Sequence, residues 1–190
     1  MSHIRNNRMK QIIQSGKPAY GVSVQFPSPE IVEMIGELNF DWVMLDAEHG
    51  SITADNIGPM IMAAEIRGLT PIVRPENNDP SVINKYLDRG AMGVQVPHIN
   101  TADEARAVVD ACLYHPQGMR GLGGGRMADF GWGSPVSEYV KTANSEMLVC
   151  VQIEDVIAVE NLDEILDCLL YTSDAADEGL GVDLGGRRII

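Results

Sequence analysis

The chain has 190 residues and a formal net charge of −13, with 45% hydrophobic and 22% charged residues. Its 14 Lys and Arg residues are scattered among 27 acidic ones, which argues against a nucleic-acid binder, since phosphate contacts need clustered basic side chains. No stretch approaches the roughly 18 apolar residues of a membrane span, and the N-terminus has no apolar signal-peptide core. We therefore expect a cytoplasmic protein without a nucleic-acid or membrane partner.

Helix and strand signals alternate along the chain. Three helices open with capping patterns, at Ser28-Pro29-Glu30, at Asp79-Pro80 and at residues 101–104. The alternation predicts a parallel α/β sheet, and six βα units fit either an incomplete (β/α)8 TIM-type barrel, which usually takes about 250 residues when complete, or a doubly wound sheet. The predicted helices cover residues 4–15, 28–38, 53–67, 79–89, 101–114, 134–145 and 156–166, and the predicted strands cover residues 19–25, 42–45, 71–74, 94–96, a short stretch near 118, and 147–154.

Two carboxylates and an imidazole closely follow the strand at residues 42–45, as Asp46, Glu48 and His49. Residues 42–45 are continuously apolar, which is typical of a strand buried on both faces of a parallel sheet. The carboxyl ends of such strands carry the reacting groups in barrels and open α/β sheets. The alternative is that Asp46 caps the following turn and Glu48 is solvated.

Three further predicted strands also end in ionisable residues, namely Arg74, His98 and Glu154. Each of them alone fits a salt-bridged or solvated surface residue. If the strands are parallel, however, all four strand ends converge on one rim, and together they favour a functional site there. His98 is a candidate for lining the pocket, and a surface role for it stays open.

A glycine-rich segment at residues 118–126 offers backbone N–H groups that could cradle a phosphate. It lacks the GxGxxG spacing that leads into a helix, and no Walker Lys-Ser/Thr pair follows it. We therefore interpret it as a mobile loop lining a pocket, in which Arg120 or Arg126 meets a carboxylate.

Five ordered blocks between about residues 4 and 167 carry a family resemblance. With these blocks the chain resembles the HpcH/HpaI aldolases, the class II pyruvate aldolase family that includes 2,4-dihydroxyhept-2-ene-1,7-dioate aldolase. The resemblance implies a (β/α)8 barrel and reversible cleavage of a 4-hydroxy-2-oxo acid to pyruvate and an aldehyde. The blocks are Asp41-Trp42 with Asp46-Ala47-Glu48-His49, Pro71-Ile72-Val73-Arg74-Pro75 with Asn78-Asp79-Pro80, Ala102-Asp103-Glu104-Ala105, Pro116-Gln117-Gly118-Met119-Arg120-Gly121, and Val151-Gln152-Ile153-Glu154.

The resemblance also implies roles for individual residues. Glu154 would be a metal ligand, and Gln152 would line the floor of the same pocket. Arg74 would contact the keto oxygen that becomes the enolate oxygen. His49 would be the acid/base group, and Asp46 would orient it as a carboxylate does in other carboxylate–imidazole pairs. Hard carboxylate ligands suit Mg²⁺ or Mn²⁺, with Co²⁺ or Zn²⁺ as alternatives.

Two other functions remain open. One is a lyase of the related citryl or malyl thioester group, although we see no basic groove for the phosphates of coenzyme A. The other is a non-catalytic barrel that binds an oxo acid. For the intact protein, the resemblance implies a homo-oligomer, specifically a hexamer, acting on a small 2-oxo acid in aromatic compound catabolism.

The last residues depart from the family pattern. Family members carry a second metal-binding Asp in a Gly-Pro-Ala-Asp type segment, and this chain has none. Residues 168–190 look like translated sequencing-adapter read-through, which would make Asp174 and Asp177 accidental carboxylates. We therefore predict a partial barrel domain over residues 1–167, a non-native tail after it, and an inactive chain as written.

Overall fold

The computed structural model of the protein describes residues 5–173. Helices and strands alternate through this range, as the hydrophobic patterns predict. The strands are β1 (Gly21–Val24), β2 (Trp42–Asp46), β3 (Thr70–Arg74), β4 (Gly93–Val96) and β5 (Leu148–Val151). The helices are α1 (Arg8–Gln14), α2 (Pro29–Glu37), α3 (Gly58–Ile66), α4 (Pro80–Asp88), α5 (Ala102–Cys112), α6 (Val136–Glu146), α7 (Val156–Glu160) and α8 (Leu162–Ser173), with a 3₁₀ segment at Arg126–Gly131.

All five described strands form one parallel sheet whose spatial order follows the chain, β1-β2-β3-β4-β5. A doubly wound sheet would reverse direction at a switch point, whereas strands that add in chain order are those of a barrel. The order therefore favours the barrel of the two predicted architectures. It also brings the carboxyl ends of the five strands to one rim.

The predicted helix starts of α2, α4 and α5 are confirmed by their caps. The Ser28 hydroxyl accepts from the Ile31 N–H, and the Asp79 carboxylate accepts from the Ser81 N–H. Thr101 forms a full capping box at the start of α5. These caps satisfy N–H groups that have no partner inside the helix, and so fix where each helix begins after the rim.

The central strands are the most buried part of the sheet. Val43 and Leu45 of β2, Val73 of β3, and Val94 and Val96 of β4 are all inaccessible to solvent. Such strands have little room to shift, because protein interiors are close-packed. The side chains that follow them are consequently held on a rigid support.

The strand predicted near Gly118 is not formed, so the described chain has five strands rather than six. This stretch instead folds back on the end of α5, where the Met119 N–H donates to the Asp110 carbonyl and the Arg120 N–H to the Leu113 carbonyl. An added Cβ at Gly118 would lie 2.5 Å from the Leu113 carbonyl oxygen. Glycine is therefore needed at position 118 for this close approach.

The two arginines of the glycine-rich segment meet carboxylates of the protein itself. Arg126 forms a two-pronged pair with Glu65 at the end of α3. Arg120 stacks 4.8 Å from the centroid of the Tyr114 ring and lies 3.4 Å from Asp88. In a parallel α/β fold, helices end at the opposite side of the sheet from the rim, so these arginines lie away from the other candidate site residues.

Several helix boundaries differ from the predictions: α1 begins at Arg8 rather than near residue 4, and two further differences have identifiable causes. Helix α3 begins at Gly58 rather than Thr53, because the Thr53 N–H donates to the Asn56 side chain and residues 54–56 form a turn. The predicted helix over residues 156–166 is divided into α7 and α8 at Asn161, whose side chain donates to the Asn100 carbonyl.

Helix α8 continues past the predicted domain boundary at Asp167. Its Cys168 is buried in the core, and its sulfur accepts a hydrogen bond from Arg106 of α5 at 3.3 Å. The first residue after the predicted boundary thus packs against the domain. Residues 174–190, with Asp174 and Asp177, lie outside the described residues. No helix within residues 5–173 is both long enough and apolar enough to cross a membrane.

Candidate active site

A buried ion pair joins the ends of β2 and β3. Asp46 and Arg74 are register partners in the two strands. Arg74 donates from Nε to Asp46 Oδ1 at 2.9 Å and from Nη2 to Oδ2 at 2.5 Å. The Asp46 side chain is inaccessible to solvent and that of Arg74 is 15% exposed. This two-pronged geometry fixes the plane of the guanidinium.

The same carboxylate also organises the loop that follows β2. Asp46 Oδ1 accepts from the backbone N–H groups of Glu48 and His49, at 3.1 and 3.2 Å, and Oδ2 accepts from the Gln25 amide at 3.2 Å. Both interpretations of Asp46 are thus partly right, because it caps a turn and belongs to the rim cluster. The solvated alternative for Glu48 is wrong, since its side chain is only 8% exposed.

The pKa of Asp46 reflects these contacts. Burial opposes its ionisation, but the hydrogen bonds from Arg74, the His49 backbone and Gln25 outweigh burial and lower the pKa from 3.8 to about 2. The hydrogen bond that Arg74 donates to Asp46 in turn raises the pKa of Arg74. The pair is therefore charged throughout the neutral range.

Gly50 lets the loop close against β1. An added Cβ there would lie 2.2 Å from the Gln25 carbonyl oxygen and 2.3 Å from that of Asp46. The next residue, Ser51, donates its N–H to the Gln25 carbonyl at 2.8 Å. Backbone atoms cannot yield as a side chain can, so only glycine permits this return of the chain.

The predicted contact between the Asp46 carboxylate and the His49 imidazole is not formed. Asp46 meets His49 only through the backbone N–H, while the imidazole Nε2 lies 3.7 Å from Glu48 Oε1 and the side chain is 64% exposed. The physical reason is that the buried Asp46 carboxylate already accepts from Arg74, Gln25 and two backbone groups. It has little capacity left for a ring on the exposed side of the loop.

A second cluster, which we call the rim triad, consists of Glu48, His98 and Glu154. His98 Nε2 lies 3.3 Å from Glu48 Oε1, and Nδ1 lies 3.0 Å from Glu154 Oε1. The Gln152 amide donates to Glu154 Oε2 at 3.1 Å. The structure thus places Gln152 beside Glu154, as predicted, and adds Glu48 and His98 to the cluster. In the sequence, the convergence of four strand ends points to both residues, and the block Asp46-Ala47-Glu48-His49 also includes Glu48.

The donors of the rim triad suit a divalent cation. One ligand atom from each residue lies within 4.8 Å of the others. Glu48 Oε2 and Gln152 Oε1 are buried and have no hydrogen-bond partner among the described residues. Carboxylate oxygen and imidazole nitrogen are ordinary metal ligands, and buried oxygens without hydrogen-bond partners are expected where an ion is to bind.

Residues 20–175 match the family model described as HpcH/HpaI aldolase/citrate lyase. The chain belongs to this family. A 4-hydroxy-2-oxo-heptane-1,7-dioate aldolase of Klebsiella pneumoniae subsp. pneumoniae is 36% identical over 162 residues, which make up 85% of this chain and 61% of that relative. A hydroxypyruvate/pyruvate aldolase of Deinococcus radiodurans is 33% identical over 160 residues, or 84% of this chain and 57% of that relative.

A solved family structure shows the same architecture. The crystal structure of an HpcH/HpaI aldolase from Desulfitobacterium hafniense DCB-2 matches with a TM-score of 0.76 and 29% identity, over 90% of this chain and 69% of that one. The prediction of an α/β fold with an incomplete (β/α)8-type barrel is confirmed. The chain spans about three-fifths of the length of the curated relatives, as the 61% and 57% shares show.

The lowered pKa of Asp46 predicts how stability depends on pH. A carboxyl whose pKa falls on folding stabilises the native state above its unfolded pKa and loses that contribution as the pH drops towards its native pKa. Relative to Asp46→Asn, the wild-type chain should therefore lose about 2 kcal/mol of unfolding free energy between pH 5 and pH 2. Urea unfolding at several pH values measures the difference, and parallel pH curves for the two proteins would contradict it.

Proposed function

We propose that the intact protein is a metal-dependent carbon–carbon lyase that cleaves a 4-hydroxy-2-oxo acid to pyruvate and an aldehyde. The observation that carries this proposal is the position of Arg74, held by Asp46 on one side and next to Glu48 on the other, where Arg74 Nε and Glu48 Oε2 are 3.2 Å apart. An enolate requires a fixed positive charge, here the guanidinium of Arg74, beside carboxylates that would bind a metal ion. The aldolase names of the relatives support the same reaction class.

Cleavage of the bond next to the carbinol leaves the pyruvate fragment as an enolate. Negative charge then develops on its C2 oxygen, and a positioned cation stabilises that charge. Arg74 uses Nε and Nη2 for Asp46, while its Nη1 makes no hydrogen bond among the described residues. We assign this remaining donor to the keto oxygen, with Asp46 holding the guanidinium in place.

Glu154 and Glu48 are the carboxylates that would hold the cation. Their oxygen donors favour Mg²⁺ or Mn²⁺, with Co²⁺ or Zn²⁺ as alternatives. When bound, the ion supplies Lewis-acid chemistry that lowers the energy of the developing enolate. Gln152 would line the floor of this site, because its amide N–H donates to Glu154 and its buried amide oxygen has no hydrogen-bond partner among the described residues.

His49 is the proposed general base and acid. Its exposed imidazole stands on a loop whose backbone is fixed by Asp46. In the cleavage direction it takes the proton of the C4 hydroxyl, the O–H electrons form the aldehyde carbonyl, and the C3–C4 bond breaks to give the enolate. Protonation at C3 then yields pyruvate. Asp46 acts on His49 through the loop backbone rather than through the ring.

The 190-residue chain is proposed to carry only part of this machinery. Its five described strands run from β1 to β5 without closing, and a barrel needs its last strand to pair with its first. We further propose that the non-native tail predicted for residues 168–190 begins after Cys168, which packs in the core, that a second metal carboxylate belongs to the missing part, and that the intact enzyme is a homo-oligomer, with a hexamer as the specific proposal.

The proposed reaction is tested with a chain in which a complete family C-terminus follows Asp167. This protein should release pyruvate from a 4-hydroxy-2-oxo acid, lose the activity in EDTA and regain it with Mg²⁺ or Mn²⁺. The unmodified 190-residue chain should release none. Turnover of a citryl or malyl thioester alone would favour the second lyase class, and binding of pyruvate without turnover would favour a non-catalytic barrel.

Arg74→Lys in the completed protein should lower kcat by about 10²- to 10³-fold, because an ammonium keeps the charge but cannot reproduce the two-pronged contact with Asp46. Steady-state pyruvate release measures the loss, and far-UV circular dichroism checks that the protein remains folded. A kcat close to that of the parent would remove Arg74 from the mechanism.

His49→Ala and Glu154→Gln should give separable defects. His49→Ala should lower turnover by about 10²- to 10⁴-fold while Mn²⁺ still binds, because general acid–base catalysis is lost and the metal carboxylates are intact. Glu154→Gln should lose Mn²⁺ binding, as measured by calorimetry. The opposite pattern, with metal affinity lost only in His49→Ala, would reverse the two assignments.

A further inference from the structure

A cavity lies at the end of the sheet opposite the rim. Leu87 and Gly90 line it from the end of α4 and the turn after it, and Met92 and Met147 line it from just before β4 and β5. It encloses about 60 Å³ and shares no lining residue with the rim triad. A single water needs roughly 10–15 Å³ of such space, so the cavity has room for one small molecule.

Arg120 lies in the wall of this cavity with an incompletely compensated charge. Its side chain is 2% exposed, and its Nε is buried without a hydrogen-bond partner among the described residues. Its Nη2 lies 3.4 Å from Asp88, a carboxylate that is itself 49% exposed and therefore partly screened by water. A buried guanidinium N–H without an acceptor costs free energy, so an acceptor from a bound molecule is expected here.

The guanidinium of Arg120 is held in place by its neighbours. It lies 4.8 Å from the centroid of the Tyr114 ring, and the Arg120 backbone N–H donates to the Leu113 carbonyl at 2.9 Å. The Tyr114 hydroxyl lies 3.3 Å from that of Tyr139, which also lines the cavity. A donor that is already positioned loses little conformational entropy when it binds a ligand.

The other charged side chains of the cavity already have partners. Arg5 lies 3.0 Å from Glu65 and 3.7 Å from Asp129, and Glu146 accepts a backbone N–H at 2.5 Å. Arg120 is thus the charge with the weakest partner among the described residues that line the cavity. The carboxylates of Asp129 and Glu146 repel a second negative charge, which favours a singly charged anion over phosphate.

The rest of the lining is mostly apolar. Small-molecule sites commonly combine apolar walls with a few placed polar groups, and methionine side chains adapt to irregular shapes. The cavity therefore fits a ligand with one anionic end and a short aliphatic body. The apolar lining residues are Leu87, Ala91, Met92, Met127, Ala143 and Met147.

We propose that this cavity binds a small monocarboxylate of about two to four carbon atoms, with its carboxylate on Arg120 and its aliphatic part against the methionines. Such an anion supplies the acceptor that Nε lacks and brings only one charge past the two acidic side chains. The site lies away from the rim and does not depend on the proposed reaction. Its ligand joins the glycine-rich segment, through Arg120 and Met127, to the end of α4 and to Ala143 of α6.

The test adds propionate to the 190-residue chain in EDTA, with carbon-13 labels on the methionine methyl groups. Propionate has no 2-oxo group and EDTA removes metal ions, so binding at the rim is suppressed. The nuclear magnetic resonance signals of Met92, Met127 and Met147 should shift and saturate with propionate. Propionamide, a neutral molecule of the same shape, should bind at least about tenfold more weakly, because the charge-assisted hydrogen bond is lost. Inorganic phosphate should leave the three signals unchanged.

Two variants test the position of the ligand. Arg120→Met removes the charge and should weaken propionate binding about tenfold or more. Ala143→Leu leaves Arg120 intact and fills the cavity, and it should abolish binding. Arg126→Met is the matched control and should keep propionate binding, because Arg126 belongs to the same segment but pairs with Glu65 and does not line the cavity. Far-UV circular dichroism checks that each variant is folded.

A wild-type chain without saturable shifts, equal binding of propionamide, or shifts confined to methionines outside the cavity would overturn the proposal. Unchanged propionate binding in Arg120→Met or in Ala143→Leu would do the same. Binding of phosphate in place of propionate would refute the carboxylate assignment. A loss in Arg126→Met equal to that in Arg120→Met would remove Arg120 as the partner of the ligand.

Discussion

The buried pair of Asp46 and Arg74 is the interaction on which the site depends. It joins two adjacent strands at their carboxyl ends, and its carboxylate also holds the turn that carries Glu48 and His49. Compared with an apolar pair of similar size, a buried ion pair contributes little net stability, because desolvation offsets most of the attraction between the charges. Their effect here is on geometry, since one carboxylate determines both the plane of a guanidinium and the path of a loop.

Loss of either partner would leave the other charged in a place with little water. A neutral replacement for Asp46 would free Arg74 to turn towards Glu48, which lies 3.2 Å away. The guanidinium would then no longer be held between Asp46 and the rim triad. The charges of the site are arranged as one connected group, so a change at one member alters the electrostatics of all.

Local sequence patterns predict the helices and strands well, and the side-chain contacts of the site less well. The caps at Ser28, Asp79 and Thr101 depend on residues three or fewer positions apart, and these were found from the chain alone. The contact of His98 with Glu154 depends on β4 and β5 lying beside each other, and its contact with Glu48 depends on β2 and β4 both lying next to β3, which no local pattern encodes. The strand predicted near Gly118 is wrong for a related reason. Gly118 lies against the backbone carbonyl of Leu113 rather than beside a neighbouring strand.

The strand order also determines when each part of the rim can form. The Arg74–Asp46 pair spans 28 residues of chain, while the contact from His98 to Glu154 spans 56. Closing a longer loop costs more entropy, and contacts distant in sequence form later in folding. During synthesis the anchoring pair can therefore assemble once β3 has been made. The rim triad must wait for β5, so a nascent chain can hold Arg74 in place before Glu154 reaches His98.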